Sequence, residues 1–453
     1  MHDLSTTLAA VATAGGRGGI GCVRISGPEA YRIAQGLFLR RGAFELPGDG
    51  RPLFGTFLDG DGTALDHGYL VAFAPERAYT SEPTVELWTH GSPPVLDALT
   101  RAAVARGAVP AGPGEFTYRA LRRGRLDLAR AEAVRDLIAA RTVYQARVAF
   151  TQVGGALARR LSPLREAIID LVARGEAAIE FADEAETHLA AGALSLGVVA
   201  ALASARLLLG EAARGRIVRD GARVALSGVT SVGKSSVFNR LLGSERAIVS
   251  PIPGTTRDTL EETLDLEGIP VTVIDTAGVR LAGDAIEEEG VRRAHQAAGE
   301  ADLVILVLDA SRPLRDDERD VLTERTSGGR TGTIVVANKV DLTPPGFRQP
   351  PWAGAIPVSA RTGEGLDSLR AAIHETLRGS GSRENPVLTN VRQATALEEA
   401  VEALSRASDA LPLGEEIVLE ELKAALAALG EITGEVANDD LYDRIFSTFC
   451  IGK

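Results

Sequence analysis

Sulfur is scarce in this chain: Cys22 and Cys450 are the only cysteines in 453 residues, and they lie near opposite ends. That excludes a disulfide framework and a cysteine-rich zinc site, and fits a reducing compartment. The first residues, Met1-His2-Asp3-Leu4-Ser5, lack a basic n-region and a signal-type apolar stretch. No uninterrupted apolar run approaches the roughly 20 residues that span a bilayer. A cationic surplus is missing too: the net charge is −12. The protein therefore does not coat polyanions, and any nucleic-acid contact must use a local basic patch. No fixed-period repeat is found. The expected compartment is the cytoplasm. What remains is an ordinary globular composition, 45% hydrophobic and 24% charged. The length implies roughly two to four domains.

One stretch organises the rest: Gly228-Val229-Thr230-Ser231-Val232-Gly233-Lys234-Ser235. It follows the apolar run Val224-Ala225-Leu226 and precedes Ser236-Val237-Phe238-Asn239-Arg240-Leu241-Leu242. Strand, glycine-bounded loop with Lys-Ser, then helix is the phosphate-loop arrangement. Loop N–H groups and the helix N-terminus converge where the helix dipole favours anions. Lys234 can reach the β- and γ-phosphates, and the Ser235 hydroxyl can sit on Mg²⁺.

Residues 1–120 read as a mixed α/β domain. Strands are expected at Leu8–Ala12, Cys22–Ile25, Gly55–Leu58, Tyr69–Phe73 and Thr84–Trp88, and helices at 28–38 and 93–106. Asp59-Gly60-Asp61-Gly62 reads as a turn, as does Gly15–Gly19. Residues 121–215 turn rich in Ala, Leu and Arg. Leu161, Leu164, Ile168, Leu171 and Val172 recur at helical spacing, as do Val134, Leu137 and Ile138. Eight arginines fall between 119 and 147 (119, 122, 123, 125, 130, 135, 141, 147). Solvated helix faces with i,i+4 ion pairs are the preferred reading over a nucleic-acid patch. Residues 216–380 alternate strands with helices, as a parallel doubly wound sheet requires. Strands are expected at 223–227, 263–267, 271–275, 303–309, 333–337 and 355–358. Helical spacing resumes after 381–386, with Leu419, Leu422, Leu426 and Leu429. The simplest architecture is a helical domain, 121–215 and 381–453, interrupted by an inserted α/β domain at 216–380.

Four further motifs follow the phosphate loop in order. In Gly254-Thr255-Thr256-Arg257-Asp258, Thr256 is positioned to close over the γ-phosphate and Mg²⁺. In Asp275-Thr276-Ala277-Gly278, Asp275 holds Mg²⁺ through water and the Gly278 N–H reports the γ-phosphate. In Asn338-Lys339-Val340-Asp341, the Asp341 carboxylate accepts from guanine N1–H and the 2-amino group, donors that adenine lacks. In Ser359-Ala360-Arg361, the Ala360 N–H meets guanine O6. All lie at carboxyl ends of strands, where open α/β sheets bind ligands. The set specifies a guanine-nucleotide-binding domain, and an ATPase fails on Asn338–Asp341. The position after Gly278 is Val279, which cannot orient water as the glutamine of many Ras-like GTPases does. Asp284, Glu287, Glu288 and Glu289 are near in sequence, and spacing does not choose among them. Arg257 and Arg280 are read as structural rather than as arginine fingers.

Outside these motifs the chain resembles the MnmE (TrmE) family of tRNA-modification GTPases from end to end. The resemblance rests on Gly16–Ile20 with Val23–Pro28, Pro113–Thr117 with Arg119-Ala120, Leu126–Ala129 with Ala131–Ala133, Gly430–Glu435, and the tail Phe449-Cys450-Ile451-Gly452-Lys453. It implies an N-terminal α+β domain that binds a tetrahydrofolate (5-formyl or 5,10-methylene) and dimerises, and a helical domain interrupted by a Ras-like GTPase domain. It implies a homodimer working with an FAD-containing partner, MnmG (GidA), on tRNA. The product carries an aminomethyl-type group at C5 of the wobble uridine, position 34. It also implies GTP hydrolysis driven by K⁺-dependent pairing of two GTPase domains, the cation replacing an arginine finger.

Carried onto this chain, the family's nucleotide contacts fall on Ser231, Val232, Gly233, Lys234, Ser235 and Ser236. They continue on Ser250, Pro251, Ile252, Pro253, Gly254, Thr255 and Thr256, then on Asp275–Gly278, Asn338, Lys339, Asp341, Ser359, Ala360 and Arg361. The water-orienting glutamate falls on Glu287, three residues before Gly290. Mg²⁺ falls to Ser235 and Thr256, and K⁺ to Ser231, Ser250, Ile252 and Thr255. Folate contacts fall on Arg24, Glu86, Arg125 and Lys453, and Cys450 matches a family cysteine without a derivable role. The chain departs from the family at Ser231, usually asparagine, so a weaker cation site is expected. It departs at Arg125, usually lysine, and at Thr13–Arg17, usually Thr-Pro-Pro-Gly-Arg. The competing class is a regulatory or ribosome-assembly GTPase without folate chemistry; the Arg24/Glu86/Arg125/Lys453 set disfavours it.

Overall fold

The computed structural model describes residues 3–40, 45–46, 48–180, 191–243, 261–275, 299–326, 332–343, 354–378, 386–435 and 439–453. The chain forms two compact units. One holds Met1–Arg135, Val153–Ala158 and Leu426–Lys453; the other holds Asp136–Gln152 and Arg159–Ala425.

The first unit is built on β1 (Leu8–Val11), β2 (Gly18–Ser26), β3 (Phe38–Leu39), β4 (Asp49–Leu58), β5 (Ala64–Phe73), β6 (Thr84–Gly91) and β7 (Val109–Pro110). They form one sheet in the order β3-β4-β5-β6-β2-β1-β7. All pairings are antiparallel except β1 with β7. Period-two alternation splits each strand between two faces. In β6, Val85 and Leu87 are buried under α1 (Ala30–Gln35) and α2 (Pro93–Ala105), with Val23, Ile25, Phe57 and Leu70. Glu86 and Trp88 therefore face the other way. The β4–β5 turn is closed by Asp59, whose carboxylate accepts from the N–H groups of Asp61 and Thr63. Both helices expected here form, but the first spans only Ala30–Gln35 instead of 28–38, because Phe38 pairs with Phe57 as part of β3. The turn expected over Gly15–Gly19 is shorter than that, because Gly18 and Gly19 already belong to β2. The reason is close approach: Gly18 pairs with Gly91, where a Cβ would lie 2.6 Å from Gly18 O. Helices α3 (Glu115–Arg122) and α4 (Leu128–Ala139) join the closing helix Asp439–Phe446 in an aromatic cluster of Tyr118, Tyr442, Phe446 and Phe449.

The second unit contains α5 (Val143–Val153), most of α6 (Ala156–Glu180), α7 (Ala191–Leu209) and α8 (Ala212–Asp220). Its sheet comprises β8 (Ala222–Ser227), β9 (Glu261–Leu266), β10 (Ile269–Asp275), β11 (Leu303–Asp309), β12 (Gly332–Asn338) and β13 (Ile356–Val358). The order is β13-β12-β11-β8-β10-β9, parallel throughout except for β9. Every residue of β11 is buried, as its unbroken apolar run requires of a central strand. The six strands lie within two residues of their expected positions. Helices α9 (Lys234–Leu242), α10 (Asp316–Thr326) and α11 (Leu366–Arg378) accompany the sheet, and α12 (Val391–Ala410) and the part of α13 (Glu415–Thr433) up to Ala425 complete the helical part. Gly175 of α6 meets Leu419 and Gly197 of α7 meets Leu171; a Cβ would approach those leucines to 2.5 and 2.4 Å. The stretch Gly192–Asp220 is long and apolar enough to cross a membrane by length and composition. Its Leu194, Val198, Leu202 and Ala205 are nevertheless buried, and α7 packs on α12.

Candidate functional site

The phosphate loop connects β8 to α9. Three positions in it take left-handed backbone: Gly228 at φ +138°, Ser231 at +67° and Gly233 at +98°. Gly228 must be glycine, because a Cβ would sit 2.3 Å from Val307 O. Gly233 is equally constrained, its virtual Cβ lying 2.3 Å from the Asn338 amide nitrogen. The buried Lys234 side chain folds back over the loop and donates to Gly228 O at 2.7 Å and Val229 O at 2.8 Å. Ser235 and Ser236 are exposed in the first turn of α9.

The Asn338–Asp341 motif at the end of β12 ties this loop to the last one. Asn338 Nδ2 donates to Val232 O at 2.9 Å, and its Oδ1 accepts from Ala360 N at 3.1 Å. Lys339 Nζ donates to Ser231 O at 2.7 Å and to Asp309 Oδ2 at 2.8 Å. Sequence reasoning missed Asp309; its only signal is a lone carboxylate at the end of a buried strand. Burial alone would push the Asp309 carboxyl up, but hydrogen bonds from Lys339 and Ser311 outweigh it and hold the group below its ordinary 3.8. Its contribution to stability is thus complete at neutral pH and is lost as pH falls through that lowered value. Ser359 Oγ donates to Asp341 Oδ1 at 2.6 Å. Arg361 Nε lies 3.0 Å from Asp341 Oδ2. That distance is an ion pair's, but the alignment is not a hydrogen bond's, and Oδ2 is buried without a hydrogen-bond partner. The Arg361 side chain is 76% exposed, so water screens the pair. A buried carboxylate oxygen without a donor fits the paired N–H groups of a guanine edge.

The backbone of Asp275 ends β10 beside β8. The residues expected at Ser250–Thr256, Thr276–Gly278 and Glu287 lie outside the described residues, as do Arg257, Arg280, Asp284, Glu288 and Glu289. Among the described residues no cluster of His, Cys, Asp and Glu has metal-ligand geometry.

In the first unit, register places Arg24 opposite Glu86. Arg24 Nη2 donates to Glu86 Oε1 at 2.8 Å, and Trp88 Nε1 donates to Glu86 Oε2 at 3.1 Å. The C-terminal tail comes to the same place: Arg24 Nη1 donates to Gly452 O at 3.3 Å, and Lys453 O accepts from Phe116 N at 3.2 Å. The Arg24 guanidinium lies 5.5 Å from the Phe116 ring centroid. Arg125 Nη1 donates to Glu76 O at 3.3 Å, outside this cluster. Beside the cluster the outward sheet face forms an apolar hollow of about 580 Å³ that includes Ile20, Phe54, Tyr69 and Trp88. Trp88 was not anticipated; alternation in Thr84–Gly91 was the available signal. Cys22 is buried, and that burial, with Glu86 nearby, pushes its thiol up to about 12. Cys450 is exposed.

The arginine-rich stretch resolves into separate structural duties. Arg119 is fully buried and donates to Glu82 and Thr6. Arg123 donates to Glu82, Arg130 to Val153 O, Arg135 to Thr448 Oγ1 and Arg141 to Asp220 O. The expected solvated helix faces hold only in part: Arg122, Arg123, Arg125, Arg141 and Arg147 are exposed, but Arg119 is buried, and the partners named here lie far off in sequence instead of at i,i+4, because the helices pack against other elements that supply them.

Comparison with known proteins completes the identification. Residues 7–125 match the model of the GTP-binding protein TrmE N-terminus, and residues 128–450 match that of the MnmE helical domain. The chain is 42% identical to the tRNA modification GTPase MnmE of Koribacter versatilis, over 100% of both chains. It is 42% identical to that of Thermus thermophilus, again over 100% of both, and 42% identical to that of Chloroflexus aurantiacus over 99% and 100%. A similar solved structure is the G domain of the T. maritima FeoB iron transporter, 29% identical over 34% of this chain and 98% of that one, with a TM-score of 0.27. A phosphate loop tied to a guanine-type carboxylate, two family models and full-length relatives agree: this chain belongs to the MnmE family of tRNA modification GTPases.

Proposed function

We propose that this GTPase serves C5 modification of the wobble uridine, position 34, using a tetrahydrofolate held by the first unit and an FAD-containing partner. The observation that carries the reading is the Arg24–Glu86–Trp88 cluster joined by the tail at Gly452 and Lys453. It offers what a folate needs: a carboxylate for pterin N–H groups, cations for a glutamate tail, and an indole beside an apolar hollow. When bound, the folate supplies a one-carbon unit. The chain's own share is to hold and orient it through Arg24, Glu86 and Lys453, with Arg125 at the tail end. The outward face carrying Ile20, Phe54 and Tyr69 is 67%, 58% and 50% exposed at those residues, which suits burial in a homodimer.

In the second unit the proposed division of labour is as follows. Amides of Val232–Ser236 and the α9 N-terminus hold the phosphates. Lys234 exchanges its two loop carbonyls for phosphate oxygens, and Ser235, with Thr256 and Asp275, serves Mg²⁺. Asp341, Asn338 and the Ala360 N–H read guanine. Glu287 orients the attacking water. Ser231, Ser250, Ile252 and Thr255 provide oxygens for K⁺ as two GTPase domains meet. The proposed domain limits are 1–120, 121–215 with 381–453, and 216–380.

The test is calorimetric titration of the full chain with 5-formyltetrahydrofolate. Glu86→Gln keeps size and shape but turns a carboxylate oxygen into an amide, and should weaken binding roughly ten- to hundredfold. GTP turnover should stay unchanged. Absence of binding by the folded wild-type chain would overturn the folate reading.

A further inference from the structure

Helix α5 opens with Thr142-Val143-Tyr144-Gln145, which forms a capping box. Gln145 N donates to Thr142 Oγ1 at 3.1 Å, while Thr142 N donates to Gln145 Oε1 at 3.2 Å and Arg141 N to the same oxygen at 2.8 Å. This satisfies the helix's own end and leaves the hydroxyl proton of Thr142 and the amide protons of Gln145 to donate. Both residues spend them outside the helix. Thr142 Oγ1 donates to Gly268 O at 2.5 Å. Gln145 Nε2 donates to Val218 O at 2.9 Å and Arg219 O at 2.8 Å, and Arg141 Nη2 adds Asp220 O at 2.9 Å. Thr142 and Gln145 are each 6% exposed, so these bonds are dry and costly to lose.

The acceptors are the last three carbonyls of α8 and one in the β9–β10 turn, segments that run directly into two neighbouring parallel strands. Asp220 leads through Gly221 into β8, and Gly268 leads into β10; Ala222 pairs with Val271. At their far ends β8 delivers the phosphate loop and β10 delivers Asp275. The β9–β10 hairpin is also the chain that joins the segment carrying Gly254–Thr256 to the segment carrying Thr276–Gly278. Its turn is pressed on α5: Glu267 and Gly268 take φ +50° and +95°, and a Cβ on Gly268 would sit 2.5 Å from Tyr144 Cβ. From that turn to Asp275 a strand spans roughly 20 Å. The far end of α5 is anchored as well. Gln152 Nε2 donates to Thr389 Oγ1 at 3.0 Å and Val387 O at 3.3 Å, next to Asn390, which caps α12.

We infer that the Thr142–Gln145 capping box is a positioning element that couples the GTPase sheet to the helical part. It holds the α8 end that leads into β8 and the turn that leads into β10, so a slide of one strand against the other moves Thr142's partner relative to Gln145's partners. A shift of Asp275 against the phosphate loop is thereby passed into α5, and along that rod to the start of α12. The inference rests on GTP use alone and stands apart from the folate reading.

Hydrogen exchange of the full chain, loaded with GDP or with a non-hydrolysable GTP analogue, tests it. In the wild type, amides of α5 and α8 should exchange at rates differing roughly fivefold between the two states. Thr142→Val and Gln145→Leu should each abolish that difference while the KM for GTP stays within about twofold, and Thr142→Ser should keep it. Identical exchange in both states in the wild type overturns the inference whether or not the variants fold. So does a difference that survives undiminished in whichever of the two variants is folded.

Discussion

Asp341 illustrates what a single residue decides. Ser359 occupies one carboxylate oxygen, and the other is buried without a hydrogen bond beside a screened arginine. A buried acceptor left in this state is costly unless a ligand supplies donors. Asp341→Asn replaces one acceptor by an N–H₂ donor. GTP affinity should fall by roughly two to three orders of magnitude, and xanthosine triphosphate, with a carbonyl at C2, should be preferred instead. Competition binding with the two nucleotides measures it; unchanged GTP preference would remove Asp341 from the base pocket. The motif made Asp341 legible in the sequence. Asp309 was not legible, because its role exists only where the ends of β11 and β12 bring it to Lys339.

Among the elements, helices and strands were readable where one face is apolar at a fixed period. Close approaches were not, because they depend on what lies opposite. Gly215 in α8 shows the difference. A Cβ there would lie 1.8 Å from Leu388 O, and a backbone carbonyl cannot step aside as a side chain can. Gly215→Ala should therefore cost about 2–4 kcal/mol of stability. Gly192→Ala in α7 meets nothing within 4 Å and should be neutral or gain up to about 1 kcal/mol from helix propensity. Urea unfolding followed by helical circular dichroism compares them. Equal midpoints for the two variants would show that α8 does not press on the 387–389 segment.

On the scale of the whole molecule, the proposed pairing of two GTPase domains makes a prediction about catalysis. With Ser231 in place of the family's asparagine, the loop would offer a shorter oxygen arm to the proposed K⁺. GTP turnover should be faster in K⁺ than in Na⁺, and Ser231→Asn should widen that ratio by about three- to tenfold, one good ligand's worth. Initial rates in the two salts, at protein concentrations spanning the dimerisation range, provide the readout. Equal rates in both salts for both proteins would exclude cation-assisted pairing. The positive φ of Ser231 is a further consideration, since asparagine tolerates the left-handed region better than serine does.

The sequence alone determined the order of the nucleotide motifs, the two interruptions in composition, the six strands of the second sheet and the five longer strands of the first; the two-residue strands β3 and β7 are too short to show a period. Each of these is local: a loop's glycines, an apolar period, a carboxylate at a fixed offset. The tertiary structure alone decided which distant residues meet. It brought Gly452 to Arg24, buried Arg119 of the arginine-rich stretch against Glu82, and aimed the spare donors of one capping box at the end of α8 and the β9–β10 turn. The physical reason is common to all three. A polar group taken out of water must find its partner in space, and sequence separation says nothing about which partner that is.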